Sequence, residues 1–192
     1  MQTKPDYYYI PTAIDRDVVE VIQKQCDKLQ LIKSVTLDKE LNSSEYELLK
    51  YRNSKNSWIH TDNWISGMMK HFVEVANNNV YNYDINQWAD KIQYTVYDEK
   101  NSHYGWHTDS SKSSFHENYV RKLSISLLLS DSDDYEGGQL QIMLPSNTKM
   151  VSFKPPIGTA IIFPSTYRHR VRPVKSGKRV SLVGWYGGPD FR

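Results

Sequence analysis

The fold class is indicated by residues 123–130, Leu-Ser-Ile-Ser-Leu-Leu-Leu-Ser, in which apolar and mostly polar side chains alternate. Successive side chains of a β-strand point to opposite faces, so this period of two is typical of a strand with one apolar face. Residues 92–97, Ile-Gln-Tyr-Thr-Val-Tyr, show the same period. From about residue 90 onward the chain is therefore predicted to be β.

Further short strands follow to the end of the chain, separated by turns rich in glycine and proline. The sequence predicts them at residues 139–144, 150–153, 159–163, 169–174 and 179–186. Many short strands at regular spacing predict a sandwich or a barrel. We expect a double-stranded β-helix, a cupin-like jelly roll, over residues 90–192.

The first 89 residues are predicted to form a helical support for this core. Apolar residues recur at helical spacing from Ile14 to Leu29, and Thr12 with Asp15 predicts a capping box at the start of this helix. A second apolar stripe predicts a helix over residues 64–76. The expected class is α+β with a mainly β core, in one domain over residues 1–192.

Composition favours an ordinary soluble globular domain. The chain has 192 residues, 39% of them hydrophobic and 24% charged, and a net charge of +2. No apolar run approaches the roughly 18 to 20 residues of a bilayer span, so no membrane role is expected. The single cysteine, Cys26, lies on the apolar stripe of the first helix and cannot form an internal disulfide. With no secretion signal evident at the N-terminus, we expect a reducing, cytoplasmic setting.

Two His-x-Asp triplets are candidate metal-binding motifs. In His60-Thr61-Asp62 the aspartate stands just before the second helix, where capping of free N–H groups explains it. No helix follows His107-Thr108-Asp109. On extended backbone these two side chains point to the same face and can bind one ion, although a polar turn is the alternative.

His169 is the best candidate for a third ligand. Strand alternation places it on the inward face of its strand, opposite to Arg168 and Arg170. A buried histidine satisfied within the core is the alternative. Two histidines and one carboxylate form the facial triad of non-haem Fe(II) oxygenases.

Arg179 and Ser181 lie one strand further on, ten and twelve residues after His169. Alternation aims both side chains at the same face, where a guanidinium and a hydroxyl can bind a carboxylate. This pair fits the distal carboxylate of 2-oxoglutarate. The alternative partner of Arg179 is the acidic loop at residues 131–136.

Together these motifs resemble the 2-oxoglutarate and Fe(II)-dependent dioxygenase superfamily, in its prolyl 4-hydroxylase-like (PKHD-type) branch. The resemblance covers about half of the chain and depends on four motifs in order: His107-x-Asp109, Glu136-Gly137-Gly138-Gln139-Leu140, His169-Arg170-Val171 and Arg179-x-Ser181.

The resemblance implies roles for individual residues. His107, Asp109 and His169 would be the iron ligands and catalytic centre, and Arg179 would bind the cosubstrate. Tyr97 would face the cosubstrate, while Tyr104 and Trp185 would line the cavity. Some relatives offer a tyrosine to the distal carboxylate where this chain has Leu128, so the contacts beyond Arg179 stay open.

The resemblance also implies an activity. It predicts hydroxylation of an unactivated C–H bond with Fe(II), 2-oxoglutarate and O2, release of succinate and CO2, and assistance by ascorbate (vitamin C). The favoured substrate is a prolyl residue of a peptide or protein. A free amino acid or another small molecule is an alternative, as is a non-catalytic cupin-like metal-binding module. Nucleic-acid demethylases of the superfamily carry a second arginine six residues after the cosubstrate arginine, where this chain has Trp185, which argues against a nucleic-acid substrate.

Overall fold

A computed structural model gives the structure of the chain and describes residues 5–34, 51–111, 118–145 and 149–191. Within these ranges, two antiparallel β-sheets form the core of the fold, and two α-helices pack on one of them. The expected mainly β jelly-roll core with N-terminal helices is confirmed.

Helix α1 runs from Arg16 to Cys26 and α2 from Trp64 to Ala76, and a π-helical turn, Asn77–Tyr81, follows α2. The bounds of α2 are those that the apolar stripe predicts. In α1 the buried residues include Ile22 and Cys26, as expected from helical spacing. Burial raises the pKa of the Cys26 thiol to about 12, so this cysteine serves packing and not nucleophilic chemistry.

Two predicted helix caps are wrong. Asp15 is the N-cap residue of α1 but makes no side-chain hydrogen bond there, and Thr12 lies in a left-handed turn with φ of 46°. The expected capping box is therefore absent. At α2 the cap is Asn63, whose side chain accepts a hydrogen bond from the backbone N–H of Ile65, and not Asp62.

Fourteen strands are found in the described part of the chain. Five precede residue 90: β1 (Tyr8–Ile10), β2 (Ile32–Lys33), β3 (Arg52–Asn53), β4 (Lys55–Ile59) and β5 (Gln87–Trp88). Nine follow: β6 (Ile92–Tyr97), β7 (Ser102–His107), β8 (Tyr119–Leu128), β9 (Tyr135–Gly137), β10 (Leu140–Met143), β11 (Met150–Phe153), β12 (Ala160–Pro164), β13 (His169–Gly177) and β14 (Arg179–Pro189). The first 89 residues are thus more than a helical support, because they also supply strands to both sheets.

The strands form a major and a minor sheet. The major sheet has the order β1-β12-β8-β14-β6-β4-β2, with β5 added on β14. The minor sheet has the order β11-β10-β13-β7-β3, with β9 added on β13. Strands from distant parts of the sequence are therefore neighbours, and β7 lies directly beside β13.

Both faces of the major sheet are covered. One face packs its apolar side chains, such as Ile125 and Leu127, against residues of the helices, such as Ile22 and Met69. The other face turns toward the minor sheet, where a second apolar cluster includes Phe163. Because both faces are covered, even the polar residues of β6 are buried, and they surround a cavity between the sheets.

No helix in the described part of the chain is both long and apolar enough to cross a membrane.

Candidate active site

The space between the two sheets contains a cavity of about 40 Å³. All the residues that the sequence assigns to the site line it: Tyr97, Tyr104, His107, Asp109, His169, Arg179, Ser181 and Trp185. The major sheet contributes Tyr97 and the last three of these residues, and the minor sheet contributes most of the others. The cavity therefore exists only when the two sheets pack together.

His107, Asp109 and His169 come together at one end of this cavity. His107 ends β7 and His169 begins β13, and the two residues are direct partners in the strand register. Asp109 Oδ1 lies 3.6 Å from His107 Nε2, and Asp109 Oδ2 lies 3.3 Å from His169 Nε2. One ligand atom from each residue lies within 4.8 Å of the other two. These three side chains could hold one metal ion.

The backbone fixes which nitrogen of each imidazole is available to bind a metal. Nδ1 of His107 lies 2.8 Å from the carbonyl oxygen of Gly105, and Nδ1 of His169 lies 3.0 Å from that of Tyr167. A carbonyl can only accept a hydrogen bond, so each Nδ1 carries the proton and donates it. In the neutral rings Nε2 then keeps its lone pair, and both Nε2 atoms face Asp109.

Two serines hold the carboxylate of Asp109. Ser124 on β8 donates a hydrogen bond of 2.8 Å to Asp109 Oδ2, and the Ser124 and Ser165 hydroxyls lie 2.9 Å apart. The backbone N–H of Asp109 donates to the carbonyl oxygen of Ser165 at 2.9 Å. Asp109 is 6% exposed, so these contacts set its position with little competition from water.

Electrostatics keep Asp109 ionised. Burial alone raises the pKa of its carboxyl, but the neighbouring His169 and His107 imidazoles outweigh this effect and hold the pKa below its usual range. Burial and the proximity of His169 lower the pKa of His107 to about 3. Burial lowers the pKa of His169, but the Asp109 carboxylate more than compensates and places this pKa above its usual range. A buried anion beside a neutral His107 is a favourable environment for a divalent cation.

Aromatic rings fix the orientation of both imidazoles. The Tyr104 ring stacks on His107 with 3.6 Å between the ring centroids, and Phe163 meets His169 edge-on at 4.8 Å. These rings leave the imidazoles little freedom to rotate. The apolar walls also exclude water, which strengthens the polar interactions inside the cavity.

Arg179 and Ser181 lie in the same cavity as expected from strand alternation. Nη1 of Arg179 donates a hydrogen bond of 3.0 Å to Ser181 Oγ, and the guanidinium carbon lies 5.4 Å from the Tyr97 ring centroid. Arg179 is only 4% exposed, yet its Nε has no hydrogen-bond partner. A buried donor without a partner fits the carboxylate of a bound ligand. The residues present thus suit both a divalent metal and 2-oxoglutarate.

The alternative prediction, that Arg179 pairs with the acidic loop at residues 131–136, is wrong. In the acidic loop Asp131 forms an ion pair with Arg16, and Glu136 forms one with Lys175. Among the described residues, Arg179 has no carboxylate within ion-pair distance. Leu128 is the register partner of Ser181 and is buried, but it does not line the cavity.

The second triplet, His60-Thr61-Asp62, lies elsewhere. Both His60 and Asp62 are exposed, and neither lines this cavity. The structure thus separates two triplets of identical sequence by their surroundings. The assignment of His107, Asp109 and His169 as metal ligands, and of Arg179, Ser181 and Tyr97 as cosubstrate contacts, stays a prediction.

Several polar residues of the cavity received no role from the sequence. Arg52 on β3 and Gln93 and Thr95 on β6 line it, and all three are buried. Ser124 adds the contact to Asp109 described above. Gln93, Thr95 and Ser124 occupy the polar positions of alternating strands, which predict a face toward water when the sequence is taken alone. The signal that identifies them is that this face is covered by a second sheet.

Comparison with known proteins identifies a family that the chain matches. The model of the 2OG-Fe(II) oxygenase superfamily matches residues 92–187, half of the chain. A PKHD-type hydroxylase of Synechococcus sp. (strain CC9902) is 43% identical over 82 residues, which are 43% of this chain and 35% of that protein. The chain thus matches about a third of the length of this curated relative.

Two solved structures share the fold over nearly the whole chain. A Pseudomonas putida prolyl-4-hydroxylase has a TM-score of 0.65 and 19% identity, and the match covers 94% of this chain and 91% of that one. A prolyl hydroxylase in complex with a hypoxia inducible factor oxygen degradation domain peptide fragment, from Trichoplax adhaerens, has a TM-score of 0.70 and 20% identity, with coverages of 94% and 83%. At this identity the likeness establishes the fold.

Proposed function

Because the chain belongs to the 2OG-Fe(II) oxygenase superfamily, we propose that it is a dioxygenase that hydroxylates an unactivated C–H bond, with a prolyl residue of a peptide or protein as substrate. The cofactors of this family are Fe(II), 2-oxoglutarate and O2. The observation that carries the proposal is the convergence of two histidine nitrogens and one carboxylate within 4.8 Å, beside a buried arginine.

His107, Asp109 and His169 would hold the metal on one face and leave the opposite face for exogenous ligands. When Fe(II) is bound, it supplies the activation of O2 that converts 2-oxoglutarate to succinate and CO2 and oxidises the substrate C–H bond. The histidines contribute Nε2 lone pairs, because their Nδ1 protons are donated to backbone carbonyls. Ser124 keeps the carboxylate of Asp109 in place.

Arg179 and Ser181 would bind the distal carboxylate of 2-oxoglutarate. The unpartnered Nε of Arg179 and the hydroxyl of Ser181 give a forked anchor in a site shielded from water. Burial raises the pKa of Tyr97, so its hydroxyl stays protonated and can donate a hydrogen bond to the cosubstrate. One fixed orientation of the keto acid couples its oxidation to the substrate.

The proteins that this chain resembles support a prolyl substrate. The Synechococcus relative described above is a PKHD-type hydroxylase. Both solved structures described above are prolyl hydroxylases, and one of them is in complex with a peptide fragment. The position of Trp185, where nucleic-acid demethylases of the superfamily carry arginine, argues against nucleic acid. Ascorbate would serve to keep the iron reduced. The buried, solitary Cys26 is compatible with the reducing cytoplasmic setting that we propose.

An anaerobic titration tests the metal site directly. Addition of Fe(II) and then 2-oxoglutarate to the wild-type protein should produce a visible metal-to-ligand charge-transfer band, and O2 should then yield succinate. Asp109→Ala should abolish both signals. The matched control is Asp62→Ala, which removes the aspartate of the other His-Thr-Asp triplet and should leave both signals intact. Full succinate formation by Asp109→Ala would contradict the proposed metal site.

A second experiment, carried out under O2, distinguishes the possible substrates and tests whether the protein is catalytic at all. Peptides with and without proline, together with free amino acids, are incubated with the Fe(II) and 2-oxoglutarate complex, and a mass increase of one oxygen atom is measured. Hydroxylation of proline peptides alone supports the prolyl proposal, whereas hydroxylation of a free amino acid favours the small-molecule alternative. A charge-transfer band without any succinate, even uncoupled, would instead indicate a binding module.

A further inference from the structure

A second buried arginine, Arg52, lies in the same cavity, and the proposed sites for the metal and 2-oxoglutarate do not use it. Arg52 is 6% exposed and lines the cavity together with the metal-site residues. Among the described residues no carboxylate lies within ion-pair distance of it. A buried guanidinium without an anion is costly, and an anionic ligand in the cavity would remove this cost.

Neutral groups hold Arg52 in a defined position. Its Nε donates a hydrogen bond of 3.0 Å to Ser54 Oγ, and its Nη2 donates one of 3.2 Å to Gln93 Oε1. Ser54 in turn donates to Ser34 Oγ at 2.9 Å, and Thr95 donates to Gln93 Oε1 at 3.2 Å. These contacts fix the direction of the side chain but do not neutralise its charge. Nη1 has no partner among the described residues.

Arg52 is close to the metal site. Its guanidinium carbon lies 4.2 Å from the Tyr104 ring centroid, and Tyr104 stacks on His107. A single aromatic ring therefore separates Arg52 from a metal-binding imidazole. A group bound to Arg52 would place its neighbouring atoms beside the reactive centre.

The two arginines are associated with different parts of strand β6. Arg52 contacts Gln93, whereas Arg179 is the register partner of Tyr97. With Arg179 and Ser181 proposed to bind the distal carboxylate of 2-oxoglutarate, Arg52 is available for a different ligand.

The charge of the loaded site leads to the same conclusion. Two charges of the metal are balanced by the two carboxylates of 2-oxoglutarate, and Asp109 balances Arg179. The positive charge of Arg52 then has no negative charge to balance it. One carboxylate from the substrate would neutralise the cavity, whereas a neutral peptide segment would leave a buried positive charge.

We propose that Arg52 is a substrate-binding residue that forms an ion pair with a carboxylate of the substrate. The proposal rests on the proposed oxygenase function and narrows its substrate class to compounds with an acidic group near the hydroxylated carbon. The carboxylate can belong to a free amino acid, to a C-terminal residue or to an acidic side chain next to the target residue. These sources share one chemistry and are separated by the choice of probe.

The test is calorimetric binding to the protein loaded with Ni(II) and saturating 2-oxoglutarate, which does not turn over. The probes are matched pairs of acid and amide: L-proline with L-prolinamide, glycyl-L-proline with its amide, and acetyl-Asp-Pro-amide with acetyl-Asn-Pro-amide. We expect at least one acid to bind about 30-fold more tightly than its amide, the effect of one buried charge pair. The pair that shows the preference identifies the source of the carboxylate.

Substitution then assigns the preference to Arg52. In Arg52→Gln the ratio of acid to amide affinity should fall to about one, Arg52→Lys should retain part of it, and Arg172→Gln on the exposed face of β13 should leave it unchanged. All three variants should still bind 2-oxoglutarate as the wild type does, which confirms that they are folded. The proposal is overturned if no acid binds better than its amide, if no acid binds at all, or if the preference survives in Arg52→Gln. If the wild-type protein shows no charge-transfer band in the anaerobic titration with Fe(II) and 2-oxoglutarate, the oxygenase function itself is refuted.

Discussion

Replacing Arg179 by methionine should stabilise the metal-free protein and at the same time weaken 2-oxoglutarate binding. Arg179 is 4% exposed, its Nε has no hydrogen-bond partner, and it has no carboxylate partner among the described residues. Methionine has a similar length and no charge. The substitution therefore removes an uncompensated buried charge while it keeps most of the packing volume.

The expected gain in stability is a difference of two terms. Burial of an uncompensated charge costs roughly 3–5 kcal/mol, and loss of the 3.0 Å hydrogen bond from Arg179 to Ser181 costs about 1.5–3 kcal/mol. The net gain is about 1.5 kcal/mol, which for a chain of this size raises the melting temperature by roughly 3–6 °C. Loss of the charged anchor for a buried carboxylate should weaken 2-oxoglutarate binding by about 3 kcal/mol, or roughly 150-fold.

Two assays measure the two effects separately. Thermal unfolding of the metal-free protein gives the melting temperature, and an anaerobic titration of the Fe(II)-loaded protein, followed by its charge-transfer band, gives the 2-oxoglutarate affinity. Arg172→Met on the exposed face of β13 is the control and should change neither quantity. If the melting temperature of Arg179→Met falls together with the affinity, Arg179 supports the fold, and the reasoning from its missing partner is refuted.

Three further substitutions or probes test other parts of the structure. Ser124→Ala removes the 2.8 Å hydrogen bond to Asp109 and should weaken Mn(II) binding about tenfold in a chelator competition, while Ser126→Ala should not; equal affinities would argue against the serine contact. Gly138→Ala forces a φ of 62° on alanine and places Cβ 3.0 Å from two side chains, so urea unfolding should show a loss of roughly 1–3 kcal/mol, and an unchanged midpoint would contradict it. Cys26, with a pKa of about 12, should resist a thiol reagent at mildly alkaline pH until urea is added; prompt modification of the folded protein would show that the thiol is accessible.

Much of the β-rich half of the fold could be predicted because several of its strands alternate apolar and polar residues. Residues 92–97 and 150–153 have the predicted bounds, as does the helix over residues 64–76. The two-residue strands β2 and β3 could not be predicted, because two residues are too few to show a period. They form through pairing with β4 and β7, which are distant partners that the local sequence does not indicate.

The site was partly predictable for a related reason. The spacing of His107 and Asp109 brings two of the three metal-site side chains to one face, whatever lies around them. His169 is 60 residues further along the chain, and its place opposite His107 follows from pairing of β7 with β13. Arg52 contributes to the cavity from the first half of the chain, where only the arrangement of the minor sheet explains its presence.

Local patterns are enough to show which residues alternate, which ones form helices and which motifs are candidates for metal binding, because these properties depend on neighbours within a few positions. What the polar face of the alternating strands touches depends instead on how the two sheets pack. Gln93, Thr95 and Ser181 follow a pattern that ordinarily faces water, yet the second sheet covers them and turns their face into the lining of a cavity. Burial by a distant part of the chain is a property of the packed molecule, and no local pattern of residues encodes it.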